Sequence, residues 1–383
     1  MKEIYLDNSS TTKVLEEAAQ AVFDAMTINF GNPSSLHRKG IEAEKIMKQA
    51  RENIARVLGV SPGEIYFTSG GTESNNWAIK GAASALRRRG NHLVTTTIEH
   101  PSVLEAFAAL EEEGFSVTYL KVDSEAVIDL KELEAAIRPD TILVSIMYVN
   151  NEVGSIQPIG EAAQIIKSRS NALFHVDGVQ AFGKIPLISN LEGIDLLSIS
   201  GHKIYGPKGI GALFIRDKVT INPLLHGGGQ EAGQRSGTEN LPGIAGFGVA
   251  ANICLEKMSE WQGLMTQLKQ RLMRGILDNI PDTVLNGPAS GAPHILNISF
   301  LGTRGEILLH ALEAKNIYVS TGSACSSRKS AKSHVLKAMA KSQEEQDGAI
   351  RFSLSPFISE EDIDYTIEIL AKEVREIRKF VRR

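Results

Sequence analysis

The sequence predicts an α/β protein: a large domain with a mostly parallel seven-stranded sheet, followed by a smaller α+β domain. Two observations predict this class. From about residue 60 to residue 215, short apolar runs alternate with helical patterns, as in repeated strand–helix–strand units. After about residue 250, one long amphipathic segment is followed by shorter strands and helices. We therefore place the large domain at residues 13–254 and the small domain at residues 1–12 and 255–383.

Seven apolar runs in the large domain are predicted to be strands. They are EIYFT (64–68), HLVTTT (92–97), SVTYLKV (116–122), TILVSIMYV (141–149), ALFHVD (172–177), DLLSIS (195–200) and GALFI (211–215). Helices are expected between most of them, for example over SVLEAFAALEEEG and DLKELEAAI. The last strand follows its predecessor through a glycine-rich link that is too short for a crossover helix, so we expect it to run antiparallel.

The small domain is expected to contain a long amphipathic helix through CLEKMSEWQGLMTQLKQRLMRGILDNI. The shorter strands HILNISF, IYVST and AIRFSL then alternate with helices. The final segment opens with a Ser-x-x-Asp capping pattern at Ser359 and keeps apolar residues at helical spacing up to the last residues, which predicts a terminal helix.

The composition argues against several classes of function. A chain of 383 residues with 42% hydrophobic content is long enough for two globular domains, and its formal net charge of −4 argues against a nucleic-acid surface. The basic run RRRG (87–90) is interpreted as the end of a helix. No window holds the roughly 18 apolar residues of a membrane span, and the N-terminal residues lack the apolar core of a signal peptide. Because two cysteines do not build a disulfide framework, we expect a cytoplasmic protein. From the charge and the apolar windows, we expect no nucleic-acid or membrane contacts.

Polar residues follow the predicted strands, and ligands of open α/β sheets bind beyond the carboxyl ends of the strands. The first strand is followed by Ser69, Gly70, Gly71 and Thr72 at a helix start. Glycines allow a phosphate to approach the backbone, and a helix start offers free N–H groups. The chain contains neither GxGxxG nor the G-x-x-x-x-G-K-[ST] motif, so nucleotide binding by these routes loses support.

Four further strand ends carry residue types that are useful in catalysis. They are His100, Asn150, Asn151, Asp177, Gln180, His202 and Lys203. Singly, each has an ordinary explanation: Asp177 as a helix cap, His100 as a satisfied loop histidine, the asparagines as turn formers. Together they would bring a lysine, an aspartate, two histidines and amides to one crevice.

Pyridoxal phosphate is the cofactor that uses such a set. Its aldehyde forms a Schiff base with a lysine, its pyridine nitrogen needs an acidic partner, and its phosphate binds backbone N–H groups. Asp177 and Lys203 are 26 residues apart, one strand–helix–strand step, which would let them hold opposite sides of one ring. The glycines at 206, 209 and 211 are interpreted as leaving space for the cofactor and letting the chain turn back into the sheet.

Five segments together resemble the cysteine desulfurases, the NifS/IscS-like branch of the class V aminotransferases. They are HVDGVQ, SGHKIYGPKGIG, NNEVG, RSGTEN and GSACSS, and the similarity extends from YLDNSSTT to IRFSLSPF. The resemblance implies the pyridoxal-phosphate fold type I, pyridoxal 5'-phosphate as cofactor and L-cysteine as substrate. It implies no metal.

The resemblance also implies a role for each matching residue. Lys203 would form the Schiff base, and His100 would stack on the ring and move protons. Asp177 would pair with the pyridinium nitrogen, and Gln180 would hydrogen-bond the ring hydroxyl.

Further residues would bind the phosphate and the substrate. The phosphate would be held by Gly71, Thr72, Ser200 and His202, together with Thr238 from the partner subunit of a homodimer. Asn151, close to the cofactor, and Arg351 would bind the substrate carboxylate, for which a two-pronged Arg contact is suited.

The two cysteines differ in their surroundings. Cys254 lies among helical apolar residues, which is typical of an inert core thiol. Cys325 lies in a stretch of small polar residues near Arg328, Lys329 and Lys332, whose charges favour a thiolate. The resemblance implies that Cys325 attacks the substrate sulfur, leaving L-alanine and a Cys325 persulfide that a sulfur-acceptor protein collects.

The sequence departs from the family pattern at three places. Ser10 stands where DNxATT is usual, and Ala340 stands where a glycine commonly ends the helix. The chain stops at KFVRR, without the tail that some relatives use to dock an iron–sulfur scaffold. Both iron–sulfur cluster assembly and tRNA thiolation therefore stay open as destinations of the sulfur.

Other functions stay open as well. A selenocysteine lyase or an aminotransferase of the same fold is the nearest alternative, although a plain transaminase needs no thiol such as Cys325. A weakly active sulfur-transfer platform is an alternative from another class. A nicotinamide dehydrogenase is a distant third, because GxGxxG is missing.

Overall fold

The computed structural model describes residues 2–321 and 332–381. Its strands are β1 (Ile4–Tyr5), β2 (Ile65–Thr68), β3 (His92–Thr96), β4 (Ser116–Leu120), β5 (Thr141–Met147), β6 (Leu173–Asp177), β7 (Leu196–Ser200), β8 (Gly211–Ile215), β9 (Thr283–Asn286), β10 (Ile295–Phe300), β11 (Ile317–Tyr318) and β12 (Ala349–Ser353). Its α-helices are α1 (Glu16–Thr27), α2 (Arg38–Leu58), α3 (Gly71–Leu86), α4 (Pro101–Glu112), α5 (Leu130–Ala136), α6 (Ile159–Arg169), α7 (Leu241–Asn279), α8 (Gly305–Glu313), α9 (His334–Ala338), α10 (Gln343–Asp347) and α11 (Glu360–Val381).

Strands β2 to β8 form a seven-stranded sheet, here called the large sheet, in the order β2-β8-β7-β6-β5-β3-β4. Neighbouring strands are parallel except where β8 pairs with β2 and β7. Only residues 201–210 separate β7 from β8, which is too short for a crossover helix. The predicted fold class and the antiparallel last strand are therefore confirmed.

The strands of the large sheet are one or two residues shorter than predicted, except β8. The end of β5 shows why. Tyr148 still donates its N–H to the Asp177 carbonyl oxygen (2.9 Å), but Val149 bridges back to Ile156. Tyr148 and Val149 lie beyond the last paired residue of β5 but stay buried at the edge of the sheet, so the apolar run in the sequence is longer than the strand.

Helices cover both faces of the large sheet. On one face, residues of α2, α6 and α7 pack against alternate strand positions such as Val144, Phe174 and Leu197. On the other face, residues of α3 and α4 pack against the intervening positions such as Leu143 and Leu196. Burial on both faces explains why these strands are continuous apolar runs in the sequence.

A second core surrounds the three-stranded antiparallel sheet β12-β10-β9, here called the small sheet. It is filled by the C-terminal half of α7 together with α8 and α11. Helix α7 begins at Leu241, well before the predicted segment that starts at Cys254. The glycine-rich first turns hid this start, and they are needed for close packing: a Cβ at Gly248 would lie 2.5 Å from the Ala50 Cα atom in α2.

The two cores meet along α7. Residues up to Cys254 pack in the core of the large sheet, and residues from Met265 onward pack in the core of the small sheet. The helix is continuous across position 254, so the domain division into 13–254 against 1–12 and 255–383 stays a prediction.

Residues 4–12, here called the N-terminal segment, join the two regions. Strand β1 pairs with β11, and Asp7 bridges to Ser353 in β12. Thr12 then donates its N–H to the His202 carbonyl oxygen (3.0 Å) at the end of the large sheet. Within the described ranges, every helix is too short or too polar to cross a lipid bilayer.

Candidate active site

A cavity of about 750 Å³ lies at the carboxyl edge of the large sheet, facing β12. Loops that follow β2, β3, β5, β6 and β7 all contribute to its wall. From the predicted site residues, the wall contains Gly71, Thr72, His100, Asn151, Asp177, Gln180, His202, Lys203 and Arg351. The structure therefore brings these strand ends together, as parallel strands require.

Lys203 lies at the end of a single 3-10 turn, Gly201–Lys203, directly after β7. Its Nζ atom donates to the carbonyl oxygens of Ser9 (2.6 Å) and Ser10 (2.8 Å) in the N-terminal segment. The ammonium thus reaches the cavity while it is held by backbone acceptors. Sequence analysis did not predict these acceptors, because a residue type does not indicate where its carbonyl oxygen points.

The glycines after Lys203 serve the backbone rather than the cavity. A Cβ at Gly211 would lie 2.6 Å from the Ile199 carbonyl oxygen and 2.7 Å from the Gly70 Cα atom. Gly209 has a φ of +77°, which allows the turn back into β8. The predicted turn is present; none of the three glycines is among the cavity-lining residues, and their role in leaving space for a cofactor stays a prediction.

Asp177 ends β6 and is buried, with both carboxylate oxygens hydrogen-bonded. Its Oδ2 atom accepts from Asn75 Nδ2 (2.8 Å), and its Oδ1 atom accepts from the Val179 N–H (3.0 Å). Asn75 lies four residues after Gly71, one turn further along α3, so it faces the same side of the helix. These two donors fix the orientation of the carboxylate.

His100 caps the start of α4, where its Nδ1 atom accepts from the Ser102 N–H (3.1 Å). An acceptor role for Nδ1 places the proton of the neutral ring on Nε2. The Ser102 hydroxyl lies 2.8 Å from Nδ1 and accepts from Asn75 Nδ2 (2.9 Å), which connects His100 to the Asp177 network. Sequence analysis missed Asn75 and Ser102, although their spacing from Gly71 and His100 was a usable signal.

The charge state of His100 follows from its surroundings. Burial is the largest cause that lowers its pKa, and the charges of Lys203 and His334 lower the pKa further. Asp177 acts in the opposite direction, without reversing the shift. His100 is therefore a neutral ring at neutral pH, which is able to take up a proton.

A phosphate-sized concavity lies at the start of α3. Gly70 caps this helix with a φ of +150°, which L side chains rarely adopt, and Gly71 begins it. The Ser200 hydroxyl is buried and has no hydrogen-bond partner among the described residues, and a Cβ at Gly70 would lie 4.0 Å from its oxygen. Free helix N–H groups and an unused hydroxyl suit the phosphate of pyridoxal phosphate.

His202 lies beside this concavity, and its Nδ1 atom is 3.2 Å from the Thr11 hydroxyl. Burial first, and then the charge of Lys203, lower the pKa of His202 to about 4. The neutral ring would therefore act as a hydrogen-bonding group towards a phosphate rather than as a cation.

Arg351 is the cavity residue that comes from the small sheet, and its side chain is almost fully buried. One terminal nitrogen donates to Asp7 Oδ1 (2.8 Å) and to the Ser10 hydroxyl (2.7 Å), and the other donates to the Asn151 carbonyl oxygen (2.9 Å). Its Nε atom has no partner within the described residues. Asn150, by contrast, is a turn former that accepts from the N–H groups of Glu152 and Val153.

Two predicted residues are not among the described residues of the cavity wall, and a third lies outside the part of the chain that the structure describes. Ser200 is buried just behind it, at the phosphate-sized concavity. Thr238 is exposed and does not line the cavity of its own chain. Cys325 lies outside the described residues, as do its neighbours Arg328 and Lys329, whereas Lys332 lines the cavity.

Cys254 is an inert thiol, as the sequence predicted. It is fully buried, and its sulfur is 3.6 Å from the Ile204 carbonyl oxygen. Burial raises its pKa to about 12, so the thiolate is not accessible near neutral pH.

Comparisons with known proteins agree with this geometry. The model of the family described as "Aminotransferase class-V" matches residues 4–366. The cysteine desulfurase IscS of Clostridium botulinum is 45% identical over 381 residues, which are 99% of this chain and 96% of that protein. The cysteine desulfurase IscS of Methanosarcina thermophila is 48% identical over 378 residues, covering 98% of this chain and 93% of that protein.

A further relative and a solved structure give the same result. The human cysteine desulfurase is 45% identical over 383 residues, covering 99% of this chain and 83% of that protein. A solved structure described as a NifS-like protein superimposes with a TM-score of 0.91 at 43% identity, covering 99% of this chain and all of the other.

The fold and the cavity therefore define an enzyme that depends on pyridoxal phosphate. The chain belongs to the aminotransferase class-V family. The resemblance to cysteine desulfurases that the sequence motifs indicated is confirmed over nearly the whole chain.

Proposed function

We infer that this chain is a cysteine desulfurase, an enzyme that converts L-cysteine to L-alanine and passes the sulfur on. Relatives that bear this name are 45% to 48% identical over 98% or more of the chain. The observation that carries the residue-level proposal is the meeting of Lys203, Asp177 and Arg351 in the wall of one cavity. In this proposal, Lys203 supplies an amine for the cofactor, Asp177 a carboxylate for its ring nitrogen and Arg351 a guanidinium for the substrate.

Pyridoxal phosphate, when bound through its aldehyde to the Lys203 amine, supplies a ring that takes up the electron pair of a substrate C–H bond. Asp177, held by Asn75 and the Val179 N–H, keeps a proton on the ring nitrogen. Lys203 would hold and move a proton at its Nζ atom. Neutral His100 would contact the cofactor ring and exchange protons at Nε2.

Arg351 and Asn151 orient the substrate by its carboxylate. The guanidinium is buried and is fixed by Asp7, Ser10 and the Asn151 carbonyl oxygen. A carboxylate that enters the cavity meets a cation that is already oriented, which lowers the entropic cost of binding. Analogues of L-cysteine that lack the α-carboxylate are expected to bind poorly.

Cys325 carries out the sulfur step in this proposal. Its thiolate attacks the sulfur of L-cysteine, so an S–S bond forms and the C–S bond breaks. The substrate carbon keeps the electron pair and takes a proton, which yields L-alanine, while Cys325 retains the sulfur as a persulfide. The role of Cys325 rests on the sequence motif GSACSS and on the family relationship.

The active form is proposed to be a homodimer in which Thr238 contacts the phosphate in the partner subunit. Thr238 is exposed in the single chain, and Leu241, three residues later, packs with Ala25 and Ala43. Exposed apolar side chains continue this surface along α1 and the loop before α2, and a second copy of the chain would cover them. They are Phe23, Met26, Ile28, Phe30 and Leu36.

A sulfur-acceptor protein completes the reaction, either an iron–sulfur scaffold or a tRNA-thiolation enzyme. We place this transfer in the cytoplasm, where a persulfide and free thiols persist in a reducing environment.

Reduction of the purified holoenzyme with borohydride, followed by peptide mapping, tests the proposal. The pyridoxyl adduct is expected on Lys203 and not on Lys208, an exposed lysine five residues later. Cys325→Ala is expected to keep this adduct while losing alanine formation from L-cysteine in the presence of a reductant. An adduct on another lysine, or full sulfur release by Cys325→Ala, would overturn the assignment.

A further inference from the structure

Lys184 is a buried lysine close to the cavity, with 3% of its surface exposed. It follows Gln180 by four residues in the tight turns after β6, where Phe182 donates to Gly178 and Lys184 to Ala181 through the backbone. These turns direct the Lys184 ammonium at the Gln180 side chain, and Lys184 Nζ donates to Gln180 Oε1 (3.3 Å).

Gln180 is held at both ends of its amide group. Its Nε2 atom donates to the Ser9 carbonyl oxygen (2.9 Å), which also accepts from Lys203 Nζ (2.6 Å). An amide presents either a donor or an acceptor, depending on which way it is turned. An ammonium is only a donor, so its contact with Oε1 leaves Nε2 as the end that faces the cavity.

We propose that Lys184 is a positioning residue: by donating to Gln180 Oε1, it keeps the Gln180 amide turned so that Nε2 is presented as a donor to the ring hydroxyl oxygen of pyridoxal phosphate. The proposal rests on the cofactor-binding role of Gln180 proposed above. It gives a physical reason for a buried cation at this position.

The surroundings of Lys184 make this cation costly. Within the described residues it forms no ion pair with a carboxylate, and the titratable groups that act on it are the cations Lys203 and Arg351 and the Cys254 thiol. Burial, and then the charge of Lys203, lower the pKa of Lys184 to about 7. A buried lysine without a carboxylate is destabilising unless a specific contact uses it.

The orientation of Gln180 has a measurable consequence. A donor at the ring oxygen stabilises its anionic form and therefore lowers the pH midpoint of the visible absorption change of the bound cofactor. If the amide turns, an acceptor faces this oxygen and the anion loses its partner. The spectral midpoint is then expected to rise by about one pH unit, as for the loss of a hydrogen bond to a charged group.

The test is a pH titration of the visible absorption of the holoenzyme, with cofactor affinity measured in parallel. Lys184→Met removes the donor and keeps an unbranched chain; we expect a midpoint about one unit higher and weaker cofactor binding. Lys184→Arg, which is again only a donor, is expected to restore the parental midpoint. Lys184→Gln, which is able to donate or accept, serves if the methionine variant does not fold, with the same direction of shift.

Lys269→Met is the matched control. Lys269 is equally buried, with 3% exposure, but it donates to the Ala292 carbonyl oxygen (3.0 Å) and does not contact Gln180. Removal of this lysine is expected to alter stability without moving the spectral midpoint. A midpoint shift in Lys269→Met as large as that in Lys184→Met would overturn the proposal.

A double-mutant cycle separates orientation from simple charge. In a Gln180→Ala background, Lys184→Met is expected to cause no further shift, because there is no amide left to turn. A shift of the same size in both backgrounds would mean that Lys184 acts through its charge alone and would overturn the proposal. If Gln180→Ala alone leaves the spectrum unchanged, the proposed role of Gln180 fails instead, so the two failures are distinguishable.

Discussion

The large sheet and the small sheet contribute to the cavity in different ways. The large sheet supplies residues from the loops after five of its strands, which are far apart in sequence but end at one edge. The small sheet supplies Arg351 from within β12, at a position paired with Asn297 in β10. In this protein, the parallel strands bring several loops to one edge, whereas the antiparallel sheet contributes one side chain from within a strand.

Two buried histidines, one in each region, differ in the hydrogen-bond partners of their ring nitrogens. His175 in β6 lies between the hydroxyls of Ser145 (2.8 Å) and Ser198 (2.9 Å), each on a neighbouring strand. His294, just before β10, is also fully buried, yet neither of its ring nitrogens has a partner among the described residues. The two buried histidines thus differ in whether neighbouring strands satisfy their ring nitrogens.

Replacement of Arg351 should have the largest effect, since it removes the small sheet's cation from the cavity. For Arg351→Met, we expect kcat/KM for L-cysteine to fall by about 10²- to 10³-fold, because a buried charged contact with the substrate carboxylate is lost. Arg351→Lys keeps the charge but not the planar fork and should recover only part of the loss. Initial rates over a range of L-cysteine concentrations measure the effect.

Arg271→Met is the control for this experiment. Arg271 also forms ion pairs, with Asp364 and Glu360, but it is exposed and is not among the residues of the cavity wall. Its replacement should leave kcat/KM unchanged. If Arg351→Met retains the parental KM while folding normally, the small sheet contributes no substrate contact and the comparison fails.

The paired variants His175→Leu and His294→Leu should move stability in opposite directions. The first leaves two buried serine hydroxyls without a partner and is expected to cost about 2–4 kcal/mol. The second removes two unpaired nitrogens and is expected to be neutral or to stabilise by about 1 kcal/mol. Denaturant midpoints of the two holoenzymes, compared with the parent, give the order, and the reverse order would contradict the contrast between the two histidines.

Acid should destabilise the large sheet through His175. Burial lowers the pKa of His175 to about 3, so the unfolded chain binds a proton first as the pH falls below 6.5. The stability that this residue contributes is complete above pH 6.5 and is lost as the pH falls towards 3. At pH 5, about 2 kcal/mol of unfolding free energy has been lost.

His175→Gln keeps a hydrogen-bonding side chain but does not titrate in this range. Its unfolding free energy between pH 7 and pH 5 should therefore fall less than that of the parent, measured in denaturant titrations at each pH. Equal slopes for the two proteins would show that another group dominates the acid response.

The smallest effect concerns helix ends. Helix α2, beside the large sheet, ends with Gly59 at a φ of +67°, whereas Ala340 after α9 has a φ of +57°. Because a left-handed backbone is strained for alanine, Ala340→Gly should stabilise by about 1 kcal/mol. Asn316→Gly (φ +60° in the parent) should gain less, since asparagine tolerates this conformation. Thermal midpoints compare the two variants, and an equal or larger gain for Asn316→Gly would contradict this account.

The sequence was informative where a physical rule relates a residue's position along the chain to its location in the fold. Strand ends in a parallel sheet converge, so His100, Asp177 and Lys203 were predicted to share a crevice from their positions alone. Apolar runs located the strands to within two residues. The departure at Ala340 was also visible in the sequence, and its positive φ is the structural consequence.

Other features had no signal that a single sequence could supply. The carbonyl oxygens of Ser9 and Ser10 bind Lys203 from a segment more than 190 residues away in sequence. The first turns of α7 are rich in glycine and were not predicted as helix, because close packing on α2 outweighs their low helical propensity. Both depend on tertiary contacts rather than on local pattern.

The N-terminal segment also sets the order of events during protein synthesis. The Ser9 N–H donates to the Ser353 hydroxyl, a contact that spans 344 residues. At about 5–20 residues per second, the ribosome needs roughly 20–70 s to make the intervening chain. Throughout that time, Ser9 lacks its Ser353 partner, so the nascent chain is able to complete its large core first, and the catalytic pocket is assembled only after β12 has been made.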